Sequence, residues 1–258
     1  MTDEIAWYHT IELPDGTTTP GWFDTRPSLK KIRFPESLDG KRCLDIGTAD
    51  GFFAFEMEKR GAKEVVAIDV DDPTKRDWPW NAKPTKDLAG RKPAFERAKE
   101  MLGSSVQREN LAIYDLDPKI VGRFDFAFIG SLLLHLRDPV AAMAAVGRVL
   151  DPDGELLVAD AVSIYLSLTH PRSPTAYFWA RDHVRWWVPN QSGLRSMVAA
   201  AGYEVVSHGG PYFIPVGDGF RPMNLGGIVK KGPRMIMREI VLRSRGIAQA
   251  WVLAKPRS

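Results

Sequence analysis

The sequence predicts an α/β fold: a Rossmann-like, seven-stranded, mostly parallel sheet with helices on both faces and an antiparallel last strand. Three observations predict it. Short runs rich in β-branched and aromatic residues alternate with helix-length segments from Arg42 onward, the pattern of a parallel sheet covered on both sides. The helical segments carry start and stop signals, such as Asp138 and Pro139 at one end and Gly61 or Gly202 at the other. The chain has 258 residues, 44% hydrophobic and 26% charged, which is enough material for a sizeable core.

Taken in order, residues 1–40 read as an irregular N-terminal lid segment, punctuated by the turn residues of "LPDGTTTPG". "RCLDIG" is the first strand of a domain running from 41 to 258. Phe52 to Arg60 reads as a helix stopped by Gly61, and "EVVAIDV" (64–70) as the second strand. A polar, Pro-rich loop leads to a helix over "PAFERAKEML". "LAIYDL" is read as the third strand and "FDFAFIG" as the fourth. Asp138 and Pro139 open a helix as N-cap and first-turn proline, with Val140, Met143, Gly147 and Leu150 as its packed face. After a "DPDG" turn, "ELLVADA" is the fifth strand. An insertion around 161–190 precedes a helix over Leu194 to Ala201, closed by Gly202. "YEVVSH" is the sixth strand, "PRMIMREIVLRSRG" (233–246) a capped helix, and "AQAWVLA" a last strand at the sheet edge.

The totals narrow the function classes. The first thirty residues lack the apolar run of a secretory signal, and no stretch approaches the roughly 18 apolar residues of a membrane helix. A cytoplasmic protein is expected, with no membrane partner. The single cysteine, Cys43, rules out an internal disulfide and a Cys-based metal site, and no H-E-x-x-H or comparable cluster asks for a metal. Net charge is only +3, but from Arg221 to Ser258 nine Lys/Arg face one acid, Glu239, a local +8 that leaves −5 for the other 220 residues. Such a tail suits a solvated helix face or an anionic partner.

Ligands of open parallel sheets bind beyond the carboxyl ends of the strands, near the point where strand order reverses. The first strand ends there on Asp45, Gly47 and Gly51. The middle glycine of a dinucleotide fingerprint is missing, and an acid at Asp50 would repel a pyrophosphate. A cofactor with a cationic or zwitterionic portion fits better, and S-adenosylmethionine (SAM) is one. Its ribose diol calls for an acid, and Asp69 ends the second strand 24 positions after Asp45. Asp115, after the third strand, is placed to accept from the adenine amino group, and Gly130 and Ser131 end the fourth strand above the methyl path.

"LDIGTADG…VVAIDV…LAIYDLD…FDFAFIGSLLLHLRDP" resembles the class I SAM-dependent methyltransferases over roughly residues 40–258. The resemblance implies that Asp45, Gly47 and Gly51 line the methionine portion, Asp69 the ribose and Asp115 the adenine side. "WYHTIELPDGTTTPGWFD" and "GSLLLHLRDP" look like the branch that contains the tRNA wobble-uridine (mo5U34) methyltransferases. That branch implies carboxy-SAM as an alternative cofactor and tRNA as an alternative partner. Other relatives with this N-terminal segment modify small molecules.

Methyl transfer needs alignment and exclusion of water. The acceptor wall is expected from Trp22 in the N-terminal segment and from Tyr177, Trp179 and Trp186 in the 161–190 insertion. His135 and His183 are the candidate bases, with His9 and Asp160 as further candidates; His135 matches a histidine of the tRNA-enzyme branch. The leading expectation is methyl transfer to oxygen or nitrogen of a small, natural-product-like acceptor of secondary metabolism. RNA modification, motivated by the basic tail and the Lys/Arg-rich stretch from Lys75 to Lys99, and a non-catalytic SAM-binding protein are the alternatives.

Overall fold

The computed structural model describes residues 5–80, 82, 91–180, 184–220 and 246–257. Seven strands form one sheet: β1 (Arg42–Ile46), β2 (Glu64–Asp69), β3 (Gln107–Asn110), β4 (Phe124–Gly130), β5 (Leu150–Ala161), β8 (Tyr203–Ile214) and β9 (Ile247–Pro256). Their order is β3-β2-β1-β4-β5-β9-β8. The β1–β2, β1–β4, β2–β3 and β4–β5 pairs are parallel, whereas β9 runs antiparallel to both β5 and β8. β6 (Ala176–Phe178) and β7 (Trp187–Pro189) make a separate antiparallel ribbon inside the insertion. The helices are α1 (Ser28–Lys31), α2 (Phe52–Lys59), α3 (Arg91–Leu102), α4 (Pro118–Val121), α5 (Pro139–Val149), α6 (Ile164–Thr169) and α7 (Gln191–Ala200).

Period-two alternation sends successive side chains to opposite faces of a strand. In β4, Phe126 and Phe128 enter one core with α2 and α3, while Ala127 and Ile129 enter the other with α5 and α7; Phe124 joins the latter across the register shift between it and Phe126. β2 and β5 divide in the same way, so both faces are buried and these strands read as nearly unbroken apolar runs. Strand order reverses at β1 and β4. Ile46 lies beside Ile68 on one side and Ile129 on the other, so β1, β2 and β4 end level. The crevice above those ends is where the fold offers a site.

Several elements differ from the sequence expectation for identifiable reasons. The third strand is Gln107–Asn110, a polar edge strand, and "LAIYDL" instead contributes a 3-10 turn, Ile113–Asp115. Ile113 and Leu116, three apart, pack together into the core, a spacing that suits a turn and not an alternating strand. The buried face of α5 is Ala142, Met143, Val146 and Val149, rotated from the expected one, with Val140 and Gly147 only half-buried. Asp138 does cap that helix, accepting from Ala141 N at 2.9 Å. "DPDG" lies within β5 at a register shift opposite Phe124 and Phe126. The last strand is not at the edge: it inserts between β5 and a longer β8, which takes the edge. The helix expected over 233–246 lies outside the described residues, except for Gly246. No described helix is long and apolar enough to cross a membrane.

Candidate active site

Beyond β1 the chain turns through Gly47, at φ +76°, and Ala49, at φ +52°. Gly47 N and Thr48 N donate to Ile68 O at 2.8 and 3.1 Å, tying the turn to β2. Asp69 completes the tie. One carboxylate oxygen accepts from Ala49 N at 2.9 Å and the other from Val70 N at 2.7 Å. Each oxygen keeps a second lone pair for a further donor. The two glycines serve different ends. Gly47 lines the cleft, and a Cβ there would come 3.1 Å from Leu132. Gly51, at φ +93°, leaves room for the core rings of Phe55 and Phe95, which an added Cβ would meet at 2.5 and 2.8 Å. Gly51 therefore packs α2 against α3 and is not part of the cleft wall.

The cleft is lined by Asp45, Gly47, Ala49, Asp69, Gly130, Ser131, Leu132 and His135, and closed by Tyr8, His9, Phe53 and Arg91. Asp45 is 2% exposed, and burial raises its pKa to about 6. The buried hydroxyl of Thr48 in the same turn sits beside this carboxylate and offsets part of that rise, although neither it nor Oδ2 makes a hydrogen bond of full geometry. Buried carboxylate oxygens normally accept well-aligned hydrogen bonds, so Oδ2 keeps capacity for a donor on a ligand. Ser131 holds φ +52°, a left-handed value rarely adopted by a residue with a side chain.

His135 stands on the cleft wall. Its Nδ1 lies against Val184 O, so Nδ1 carries the ring proton and Nε2 is the acceptor. Burial, with the charges of Arg185, Arg91 and Arg76 nearby, lowers its pKa to about 3. Asp160 is fully engaged with backbone: it accepts from Leu133 N and Ala161 N, each at 2.7 Å. Burial raises its pKa to about 7. It is not on the wall of this cleft; it fixes the turn that carries Leu132 and His135.

The N-terminal segment is bound down by Asp50. This carboxylate, 0% exposed, accepts from Tyr8 N at 2.7 Å and His9 N at 2.8 Å, and pairs with His9 Nδ1. Thr10 N donates to Phe23 O at 2.9 Å and Gly217 N to Trp22 O at 2.8 Å, which joins the segment to the chain beyond β8. Beneath it lies a second cavity that shares Tyr8, His9, Phe53, Gly130 and Ser131 with the cleft. Phe23, Thr25, Ser28, Phe128, Tyr212 and Gln249 contribute to its walls.

The structure brings Asp45, Gly47, Asp69, Gly130, Ser131 and His135 together. It does not bring Asp115, which is exposed in the 3-10 turn because "LAIYDL" is not a strand pointing at the crevice. Trp22 is half-buried and lines neither cavity; its neighbour Phe23 takes the inward position. Tyr177 and Trp179, on or beside the β6–β7 ribbon, are 41% and 42% exposed. Trp186 donates its indole N–H to Asp77 O at 2.6 Å, away from the cavity walls. His183 lies outside the described residues. Among the described residues no group of three or more His, Cys, Asp or Glu is placed to hold a metal ion. The anchor Asp50, the cation Arg91 and the chamber residues Thr25, Ser28, Tyr212 and Gln249 carry no local motif. Asp50 meets its partners 41 and 42 positions away, a pairing that only the fold creates.

A family model described as a methyltransferase domain matches residues 25–208. The tRNA U34 carboxymethyltransferase of Helicobacter pylori (strain Shi470) is 26% identical over 167 residues, 65% of this chain and 58% of that protein. The ubiquinone biosynthesis O-methyltransferase of Alkalilimnicola ehrlichii is 31% identical over 143 residues, 55% of this chain and 47% of that protein. This chain thus spans about half of each of these curated relatives. Among solved structures, the Burkholderia thailandensis 1,6-didemethyltoxoflavin-N1-methyltransferase, crystallised with 1,6-didemethyltoxoflavin and S-adenosylhomocysteine, superposes with a TM-score of 0.53. It is 15% identical, with 91% of this chain and 84% of that one covered, and shows the likeness of fold.

Proposed function

The chain belongs to the methyltransferase domain family and has the class I SAM-dependent fold; on that premise we propose that it transfers a methyl group from SAM to oxygen or nitrogen of a small-molecule, natural-product-like acceptor in the cytoplasm. The observation that carries the reading is the meeting of three features in one cleft. These are Asp69 held at the end of β2 by Ala49 N, the buried carboxylate of Asp45, and the bare turn at Gly47.

These residues fit the cofactor. A buried carboxylate with spare acceptor capacity suits an ammonium, and a carboxylate with two free lone pairs suits a vicinal diol. When bound, SAM supplies a methyl carbon on a sulfonium leaving group. The chain's own part is to hold, align and dry the site. Asp45 orients the charged end and Asp69 the sugar. Tyr8, His9 and Phe53 exclude water from above, and the described part of the N-terminal segment, held down by Asp50, covers the cleft. His135 stays neutral down to about pH 3. It is a weak base, so its role is to accept a hydrogen bond and orient, not to carry off the acceptor's proton.

A second reading, tRNA wobble-uridine modification with SAM or carboxy-SAM, is favoured by one observation. Among the described residues lining the cleft, Arg91 is the sole Lys or Arg, and a second carboxylate on the cofactor would meet it. Methyl-labelled SAM offered with an ultrafiltered metabolite pool and, separately, with total tRNA distinguishes the two. The proposal expects label in the metabolite pool. Label confined to tRNA, with binding that falls steeply as salt is added, would replace it with the second reading.

A further inference from the structure

We infer that the rim of the strand-end cleft, between Tyr8 and His135, is an anion site formed by Arg76, Arg91 and Arg185, and that the methyl acceptor is a small organic acid whose carboxylate docks there. The inference rests on the SAM-dependent reading above and specifies the charge of its acceptor.

Three stretches far apart in sequence deliver these arginines to one place. Arg91 opens α3 and lines the cleft. Its guanidinium carbon lies 4.8 Å from the ring centroid of Tyr8, which closes the same cleft. Arg76 follows β2, and its Nε donates to Val70 O at 3.1 Å, one residue past Asp69. The backbone around Arg185 is held to the cleft wall from both sides. Val184 O accepts from Nδ1 of His135, and Trp186 N donates to Leu134 O at 2.8 Å. The three charges converge. After burial, the main influences that lower the pKa of His135 are Arg185, Arg91 and Arg76. Burial raises the pKa of Tyr8, and Arg91 and Arg185 pull it back down. Burial and then Arg91 depress the pKa of Arg76 itself.

Like charges gathered in this way are unfavourable until an anion completes the group. The neighbouring carboxylates are committed elsewhere. Asp69 and Asp71 lie near Arg76, but Asp69 is held by Ala49 N and Val70 N, and Asp71 pairs with Arg108 at 2.7 Å and Lys92 at 3.3 Å. Asp77 accepts from Arg137 N at 2.7 Å and from the Tyr114 hydroxyl at 2.8 Å. Arg91 stacks on Tyr8 and pairs with no carboxylate among the described residues. SAM does not complete the group either. It brings one carboxylate against an ammonium and a sulfonium, a net positive charge, so three guanidinium groups exceed what the cofactor offsets. An acidic acceptor brings the missing charge.

The side chains also select the kind of anion. Arginine's planar fork matches a carboxylate through two parallel hydrogen bonds. All three arginines are half-buried, which suits a small acid at the rim, whereas a nucleic-acid backbone is met by exposed cations. Beside them, neutral His135 keeps Nε2 as an acceptor for a hydroxyl or N–H of the same molecule. The acceptor class is a hydroxy or amino carboxylic acid that keeps its carboxylate while the neighbouring oxygen or nitrogen takes the methyl group.

The test uses the full chain, with and without saturating S-adenosylhomocysteine, and acid–amide pairs matched in shape: salicylate with salicylamide, anthranilate with anthranilamide, and lactate with lactamide. Affinities are read by ligand-detected NMR. At least one acid should bind roughly tenfold or more tightly than its amide, as expected for charge-assisted hydrogen bonds, with a margin that shrinks as salt is added. The Arg91→Gln/Arg185→Gln variant should lose that margin and bind S-adenosylhomocysteine as the wild type does. Arg185→Gln alone, which leaves the Arg91–Tyr8 contact in place, should lose part of it. Absence of any acid preference in the wild type overturns the inference, as does an undiminished margin in either variant. Weaker S-adenosylhomocysteine binding by the double variant assigns the cluster to the cofactor's own carboxylate and overturns it too. Carboxy-SAM bound more tightly than SAM through these arginines places the carboxylate on the cofactor, and total tRNA bound through them in place of the acids makes the anion a phosphate; either result overturns it. Failure of the wild type to bind S-adenosylhomocysteine, measured separately by calorimetry, defeats the cofactor reading itself, while the acid–amide comparison on the ligand-free chain still decides the anion site.

Discussion

Asp45, next to last in β1, has a buried carboxylate, and burial raises its pKa to about 6 from an ordinary value near 4. A raised carboxylate stabilises the free protein below its unfolded pKa, and that contribution is lost as pH climbs from about 4 through about 6. A bound ammonium favours the ionised form, so the sign reverses for binding. SAM affinity is expected to rise between about pH 5 and pH 7 and then level off, by up to roughly tenfold per pH unit at the acid end. Calorimetric titrations across that range check it, and Asp45→Asn should bind weakly with no such slope. Among single residues, those at strand ends were legible in the sequence. Asp45, Gly47 and Asp69 sit where apolar runs stop, and a crevice there follows from the fold. Gly51 was legible as a special position but not for its reason, since Phe95 lies 44 positions on and only packing reveals the contact.

Among elements, the N-terminal segment is the one whose fold depends on a single distant side chain. Asp50 satisfies two buried backbone N–H groups and the His9 ring. Asp50→Ala would leave those donors without partners, at a cost of about 3 kcal/mol, or a melting temperature lower by roughly 6–12 °C for a chain of this size. Hydrogen exchange at residues 8–11 should quicken more than in β1 or β4; uniform loss of protection, or none, would contradict a local anchor. Element types were largely readable from capping and periodicity. Asp138 caps α5 as its sequence predicts, and Gly202 follows α7 at φ +95°. The third strand was not readable, because "QREN" pairs at the sheet edge through its backbone and carries no apolar alternation. The aromatics of the insertion were legible as a cluster but not in their direction. A ribbon that turns Tyr177 and Trp179 outward has the same composition as one that turns them in.

At the scale of the whole molecule, the two-sided parallel sheet with an inserted antiparallel last strand brings the ends of β1, β2 and β4 level and leaves one crevice above them. A cover that begins at Trp7 and Tyr8 is tied to Asp50 and to the chain beyond β8. The strand-end cleft and the second cavity meet under that cover at Gly130 and Ser131. The sheet and the residues of the strand-end cleft were legible in the sequence, because they cluster within short motifs. The second cavity draws Phe23, Thr25, Phe128, Ser131, Tyr212 and Gln249 from distant parts of the chain, so it exists only once the chain has folded. The measurement that tests the central claim most directly is the calorimetric titration of SAM into the wild-type protein and into Asp69→Ala. Charge-assisted hydrogen bonds to two sugar hydroxyls predict saturable one-site binding that weakens by roughly a hundredfold in the variant. Equal affinity in the two proteins, or no binding to the wild type, would contradict it.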